Sequence, residues 1–262
     1  MIQAKKSLRK LSVGLSLAVF SFLFSEGAVW AGYKPPPSPT PTRVTGTTTG
    51  VRGGCTGDAG ADLTAIAPVS HIGQSGSEYP SFVWFVPEPE PFPMEFRLYE
   101  LNVEDGEVGE SSVSPDAANK AIQRKKILTH IFDSQRGWMR FDLPQTEAPL
   151  SASKTYLWSV ILHCNPNRPS RSQRIDAELK IRPPSTTLTS QLETLSKPSA
   201  RADLLAQQGY WYDAIQLLTP TGTEEEIGPE AIATRADLLT TLAQIEPELR
   251  QSQLLEILQA AP

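Results

Sequence analysis

The stretch Thr155-Tyr156-Leu157-Trp158-Ser159-Val160-Ile161-Leu162-His163-Cys164 decides the fold. In an extended chain successive side chains point to opposite sides, so Tyr156, Trp158, Val160, Leu162 and Cys164 share one face. Aromatic and β-branched residues at a period of two predict a strand with that face buried. The same period runs outward in both directions. Phe82, Trp84 and Val86 alternate with Val83 and Phe85, and Met94, Phe96 and Leu98 with Glu95, Arg97 and Tyr99. Met139, Phe141 and Leu143 alternate with Trp138, Arg140 and Asp142. Ile175, Ala177, Leu179 and Ile181 alternate with Arg174, Asp176, Glu178 and Lys180. Leu63–Ala67 and Ile127–Phe132 are less regular strands. About seven short strands divided by Pro, Gly and Asn/Asp clusters predict a β-sandwich over residues 53–185.

After Pro183-Pro184 the period becomes helical. Leu188, Leu192 and Leu195 stand at i, i+4, i+7, and Trp211, Ala214, Ile215 and Leu218 at i, i+3, i+4, i+7. Gly228-Pro229 and Pro247 are placed to open two further helices, since proline fits a first helical turn. Residues 186–262 therefore form an α-helical C-terminal part, too small to stand well alone and expected to dock on the sandwich. Within it Arg201-Ala202-Asp203-Leu204-Leu205 recurs as Arg235-Ala236-Asp237-Leu238-Leu239, 34 residues later. That is the tetratricopeptide period, and Gly209 through Ala214 resembles the turn of such a repeat. In the second copy Ala243 stands in place of the glycine and Glu248 in place of the alanine, so the expectation is a pair of helical hairpins and not an extended solenoid.

The first 31 residues read as a secretory leader: Lys5, Lys6, Arg9 and Lys10, then the uncharged apolar run Leu11–Phe24. Val29-Trp30-Ala31 suits a peptidase, with cleavage between Ala31 and Gly32. The apolar run is short for a membrane span and no second one follows, so an exported protein, periplasmic or secreted, with no integral membrane segment after leader removal is expected. Residues 32–52 form a Pro/Gly/Thr-rich linker, its Tyr33–Thr42 part expected near polyproline II and packing against little. Residues 32–185 carry 16 basic and 17 acidic side chains, and residues 186–262 carry 4 and 11. This acidic balance offers no footprint for a phosphate backbone, so nucleic acid is not an expected partner. Cys55 and Cys164 are the two cysteines. An even count in an oxidising compartment reads first as a disulfide, with two buried free thiols as the alternative.

Tyr79-Pro80-Ser81-Phe82-Val83-Trp84, Glu95-Phe96-Arg97-Leu98-Tyr99 and Leu150 through Val160, with Lys154-Thr155-Tyr156-Leu157-Trp158, resemble a fibronectin type III or Ig-like module. Over residues 50–245 the chain resembles the cyanobacterial family catalogued as domain of unknown function 928. The residues carrying this are Arg52-Gly53-Gly54-Cys55, Leu63-Thr64-Ala65, Pro80, Phe82, Trp84-Phe85-Val86-Pro87, Lys154-Thr155-Tyr156, Trp158, Cys164, Gly209 and Trp211-Tyr212-Asp213-Ala214. The resemblance implies a cyanobacterial, envelope-directed protein and brings no catalytic residue with it.

Chemistry-bearing constellations are sparse. His163 adjoins Cys164, but neighbours on a strand diverge, and a disulfide would consume the thiolate. His71 and His130 read as ordinary loop and strand residues. Asp58 and Asp62 lack the alternating acids of a calcium loop, and Glu224-Glu225-Glu226 reads as a solvated turn. No metal and no cofactor are expected. The aromatic residues carry the binding hypothesis: Trp84, Trp158 and Trp211 read as core, while Trp138, Tyr210 and Tyr212 are the candidate binding surface. The resulting expectation is a non-catalytic binding or scaffold protein of the cell envelope that engages an envelope protein. The alternatives are a carbohydrate- or peptidoglycan-binding module using Trp138, and a cell-wall hydrolase whose paired carboxylates meet only in space.

Overall fold

In a computed structural model the chain is described over residues 32–37, 41, 55, 61–103, 122–152, 154–165, 167–221 and 227–260. The leader, most of the linker, Asp58 and Glu224–Glu226 lie outside these residues. Eight strands come first: β1 (Thr64–Ala65), β2 (Gly73–Ser75), β3 (Ser81–Val86), β4 (Pro93–Val103), β5 (Ile122–Asp133), β6 (Gly137–Asp142), β7 (Thr155–Leu162) and β8 (Gln173–Ile181). Five helices follow: α1 (Thr186–Thr194), α2 (Pro198–Gln207), α3 (Trp211–Leu217), α4 (Gly228–Ile245) and α5 (Glu248–Ala260).

The strands form two sheets, one of order β1-β3-β6 and one of order β2-β8-β7-β4-β5. All the pairings are antiparallel except β2 with β8. The sheets face one another through the alternating residues of the sequence pattern. Phe82 of β3 lies 4.9 Å from Phe96 of β4 and 5.5 Å from Trp158 of β7, ring centre to ring centre, and Phe96 lies 4.5 Å from Phe141 of β6. Tilted aromatic pairs at such distances add to the free energy of burial. Ile127 has no partner in the β4–β5 ladder, where Leu98 pairs with Leu128 and Tyr99 with Lys126. This bulge twists the outer strand.

Every residue of β3 is buried, odd and even alike. A strand buried on both faces needs a third layer, and the helices supply it. The buried apolar residues of strands and helices form one continuous core, from Leu63 and Trp84 to Leu238 and Ile257. Helix ends follow their sequence signals. The Ser185 hydroxyl accepts the Leu188 amide at 3.2 Å as an N-cap, and Pro198 and Pro229 sit in the first turns of α2 and α4. Among the described residues no helix is long and apolar enough to cross a membrane.

Cys55 and Cys164 are joined, with an S–S bond of 2.05 Å and Cα atoms 4.9 Å apart across 109 residues of sequence. The bond ties Cys55 to the end of β7, and the Cys55 amide also donates to the Glu88 carboxylate.

Candidate functional site

The aromatic triplet Tyr210-Trp211-Tyr212 stands at the start of α3, and all three side chains are buried. Tyr212 enters the space between the sheets. Its hydroxyl accepts the Trp158 indole N–H at 2.8 Å and donates to the Glu178 carbonyl at 3.0 Å. Burial pushes its phenol well above the usual range. Its ring fits because residue 73 is glycine: a Cβ there would lie 2.6 Å from Tyr212 Cε2. Trp211 donates its indole N–H to the Ile66 carbonyl at 2.8 Å. Tyr210 is 3% exposed, and the Arg182 guanidinium lies 4.0 Å from its ring centre. Tyr210 and Tyr212 are thus core residues, a correction to their expected place on a binding surface. Tyr210, at the N-cap of α3, and Tyr212, in its first turn, point in different directions, and here both directions meet protein.

Trp138 is half-buried on the face of β6 that looks toward the helices. Arg235 of α4 places its guanidinium 4.0 Å from the ring centre, and Phe85 meets the ring edge-on at 6.0 Å. A cation over an indole is a favourable contact, and it occupies the ring face that a sugar would need.

Charged groups reinforce the same junction. Arg250 of α5 is 4% exposed and donates to the carbonyls of Ala65 and Ala67. Burial pushes its guanidinium down to about 10, opposed by the nearby Glu246 carboxylate. Glu246, between α4 and α5, accepts the Val69 amide at 3.0 Å, the Ser70 amide at 3.1 Å and the Ser70 hydroxyl at 2.9 Å. Asp213 accepts the Gly76 amide at 2.8 Å, with burial raising its carboxyl. Arg140 donates to the Gln216 and Thr219 carbonyls, each at 3.1 Å. Each of these groups holds backbone. A cleft of about 340 Å³ opens beside Asp213, between Arg201, Leu192 and Pro184.

His71 is buried, not an ordinary loop histidine. Its Nε2 lies 2.7 Å from the Tyr33 hydroxyl and its Nδ1 2.9 Å from the Ser70 hydroxyl, and burial lowers its pKa to about 4. Tyr33 itself overturns the expectation that the proline-rich start packs against little. It is 4% exposed and meets Trp211 edge-on at 4.9 Å. His163 lies 3.6 Å from the Glu95 carboxylate, which Arg97 holds below the usual carboxylate range. His130 packs against Phe132 and Phe141 at the outer edge. Among the described residues no group of three or more His, Cys, Asp or Glu is placed to hold a metal ion.

The surface feature that remains is β5. It ends the five-stranded sheet, and no described strand pairs with its outer edge. It is twelve residues long and carries Lys125, Lys126 and Ile131, the last 70% exposed. The sequence carried a signal for it in the irregular period of residues 127–132, though it did not separate an outer strand from an inner one.

Two facing sheets closed by a C-terminal helical layer define the class of architecture. The chain matches the family described as Domain of Unknown Function (DUF928) over residues 47–251 and belongs to that family. No curated protein is significantly similar to it.

Proposed function

We propose that this chain is a non-catalytic binding or scaffold protein of the cell envelope, and that the outer edge of β5 is the surface that engages a partner. The single observation behind this is the long outermost strand, on which Ile131 is exposed past the bulge. A sheet edge presents a row of backbone donors and acceptors that pairs readily with another extended chain. Proteins usually protect such edges by shortening or bulging them. Here the bulge stands at Ile127, and Ile131 lies beyond it. An extended segment of an envelope protein would add a strand, drawing affinity from main-chain hydrogen bonds and specificity from alternate side chains. Lys125 and Lys126 favour an acidic segment.

The fold reading beneath it is an Ig-like pair of sheets carrying two tetratricopeptide-like hairpins. Its supports are the order β1-β3-β6 against β2-β8-β7-β4-β5 and the Tyr156 hydroxyl, which accepts the Ser151 amide at 2.7 Å. That bond resembles the tyrosine corner of such modules. Export from a cyanobacterial cell fits the leader-like N-terminus and the disulfide, which is at home in an oxidising compartment.

The test is capture from envelope extract with the mature protein and with Ile131→Asp. The proposal expects one or more envelope proteins held by the native protein and reduced at least tenfold by the substitution, with the fold intact by circular dichroism. Capture that Ile131→Asp leaves unchanged, or none above control, would overturn it.

A further inference from the structure

The first described segment, residues 32–37, touches the body as a bound peptide would. Tyr33 inserts its ring beside Trp211 and His71, and the Lys34 amide donates to the Ala206 carbonyl at 3.1 Å. Pro36 rests on Gly209, whose φ of +85° and bare Cα form the floor of the groove. A Cβ there would lie 3.1 Å from Pro36 Cδ and 3.3 Å from the Lys34 carbonyl oxygen. Arg182 and Gln208 complete the walls, and the Arg182 guanidinium bonds to the Gln208 carbonyl. Most of these partners come from the α2–α3 turn, some 170 residues away in sequence.

The segment has one aromatic anchor, one backbone hydrogen bond and a run of three prolines, Pro35 to Pro37. Proline fixes φ and lowers the entropy lost on binding, which is why such runs serve as peptide ligands for grooves with aromatic walls. Seventeen residues, 38–54, separate this strap from Cys55, where the disulfide fixes the chain to β7. A chain of that length spans at most about 60 Å, enough to reach a groove on a neighbouring molecule. The contacts are the same whether the strap comes from its own chain or from another. Tethering to the same chain only sets the effective concentration of the strap in cis.

We propose that the groove formed by the α2–α3 turn, Trp211, His71 and Arg182 is a binding site for the strap of a second copy of this chain. Two molecules would then associate by reciprocal exchange of residues 32–37. The exchange is independent of the β5 edge, so Ile131→Asp should associate as the native protein does, and failure of one proposal leaves the other standing.

The experiment uses the mature protein with a protease site placed in the linker at Thr47–Thr49 and cut after folding. A fluorescent peptide of residues 32–41 is then added, and uncut protein is examined by light scattering over a concentration series to the millimolar range. The expected results are saturable entry of the peptide, at least tenfold weaker for a Tyr33→Ala peptide, and uncut dimers that excess free peptide dissolves. Three results would overturn the proposal: no entry of the peptide into a folded cut protein, dimers insensitive to the peptide, or uncut protein that stays monomeric throughout. Circular dichroism of the cut protein before addition establishes that the body is folded, and the uncut arm does not depend on any substitution.

Discussion

Trp158 and Tyr212 meet through an indole-to-hydroxyl hydrogen bond of 2.8 Å in the middle of the protein, 54 residues apart in sequence. One belongs to the strand from which the fold is read, the other to the third helix. The Tyr212 hydroxyl passes its own hydrogen on to the Glu178 carbonyl, so a single buried oxygen links helix, central strand and neighbouring strand. Removing it leaves the buried Trp158 indole N–H short of its acceptor. Tyr212→Phe should destabilise the protein by about 2 kcal/mol, read as a lower denaturant midpoint at unchanged slope.

Arg250 is a buried cation on a face shared with Leu254 and Ile257. Its guanidinium holds two carbonyls of the segment around β1, and Glu246 balances its charge. Arg250→Ala would strand those carbonyls and open a cavity, at a cost of about 3 kcal/mol. Chemical denaturation of the variant measures this, and a change below about 1 kcal/mol would contradict the role given to the side chain.

Two groups give pH dependences of opposite sign. His71 has a folded pKa lowered from 6.5 to about 4, so the unfolded chain binds the proton more readily between those values. Its contribution is full above pH 6.5 and is lost as pH falls toward 4. Replacing it with Phe should therefore remove stability at pH 7 more than at pH 4. Asp203 has a folded pKa raised from 3.8 to about 6, by burial first and then by Asp237 and Glu230. Its contribution is present below 3.8 and lost as pH rises through 6. Asp203→Asn should stabilise at pH 8 and do so progressively less toward pH 4, by less than about 1 kcal/mol because the residue is only half-buried and solvent screens its charge. Thermal melts of both variants across pH 4–8 read the two signs.

The disulfide closes 109 residues of sequence. In the chain-entropy picture a loop of that size is worth about 4–5 kcal/mol. Natively purified protein should lack two hydrogens by mass and yield a linked Cys55–Cys164 peptide. The Cys55→Ala, Cys164→Ala double variant should unfold at clearly lower denaturant.

The strands were legible because alternation is a local property: the pattern of β3, β4, β7 and β8 can be read one residue at a time. The helices were legible for the same reason, with prolines marking their starts. What a local pattern does not encode is which surface a face will meet. Tyr210 and Tyr212 look like a surface cluster until the sheets receive one and Arg182 covers the other. Tyr33 sits in a composition that signals an unpacked linker, yet one aromatic in such a run suffices to anchor it. Arg235 and Arg250 carried a missed signal. Each lies in register with buried leucines or isoleucines on its own helix, Arg235 with Leu238, Leu239 and Leu242, and such a cation is either exposed at a seam or buried with acceptors.

The burial of Tyr210 and Tyr212, on which the proposal of binding at the β5 edge rests, predicts that helices and sheets unfold as one unit. Native-state hydrogen exchange across a guanidinium series tests this most directly. Amides of α3, α4 and the central strand β7 should share one highest opening free energy and lose protection together as denaturant rises. Exchange of α3 and α4 through a low-energy opening, with β7 and β8 still fully protected, would contradict a single body and return those aromatics to solvent.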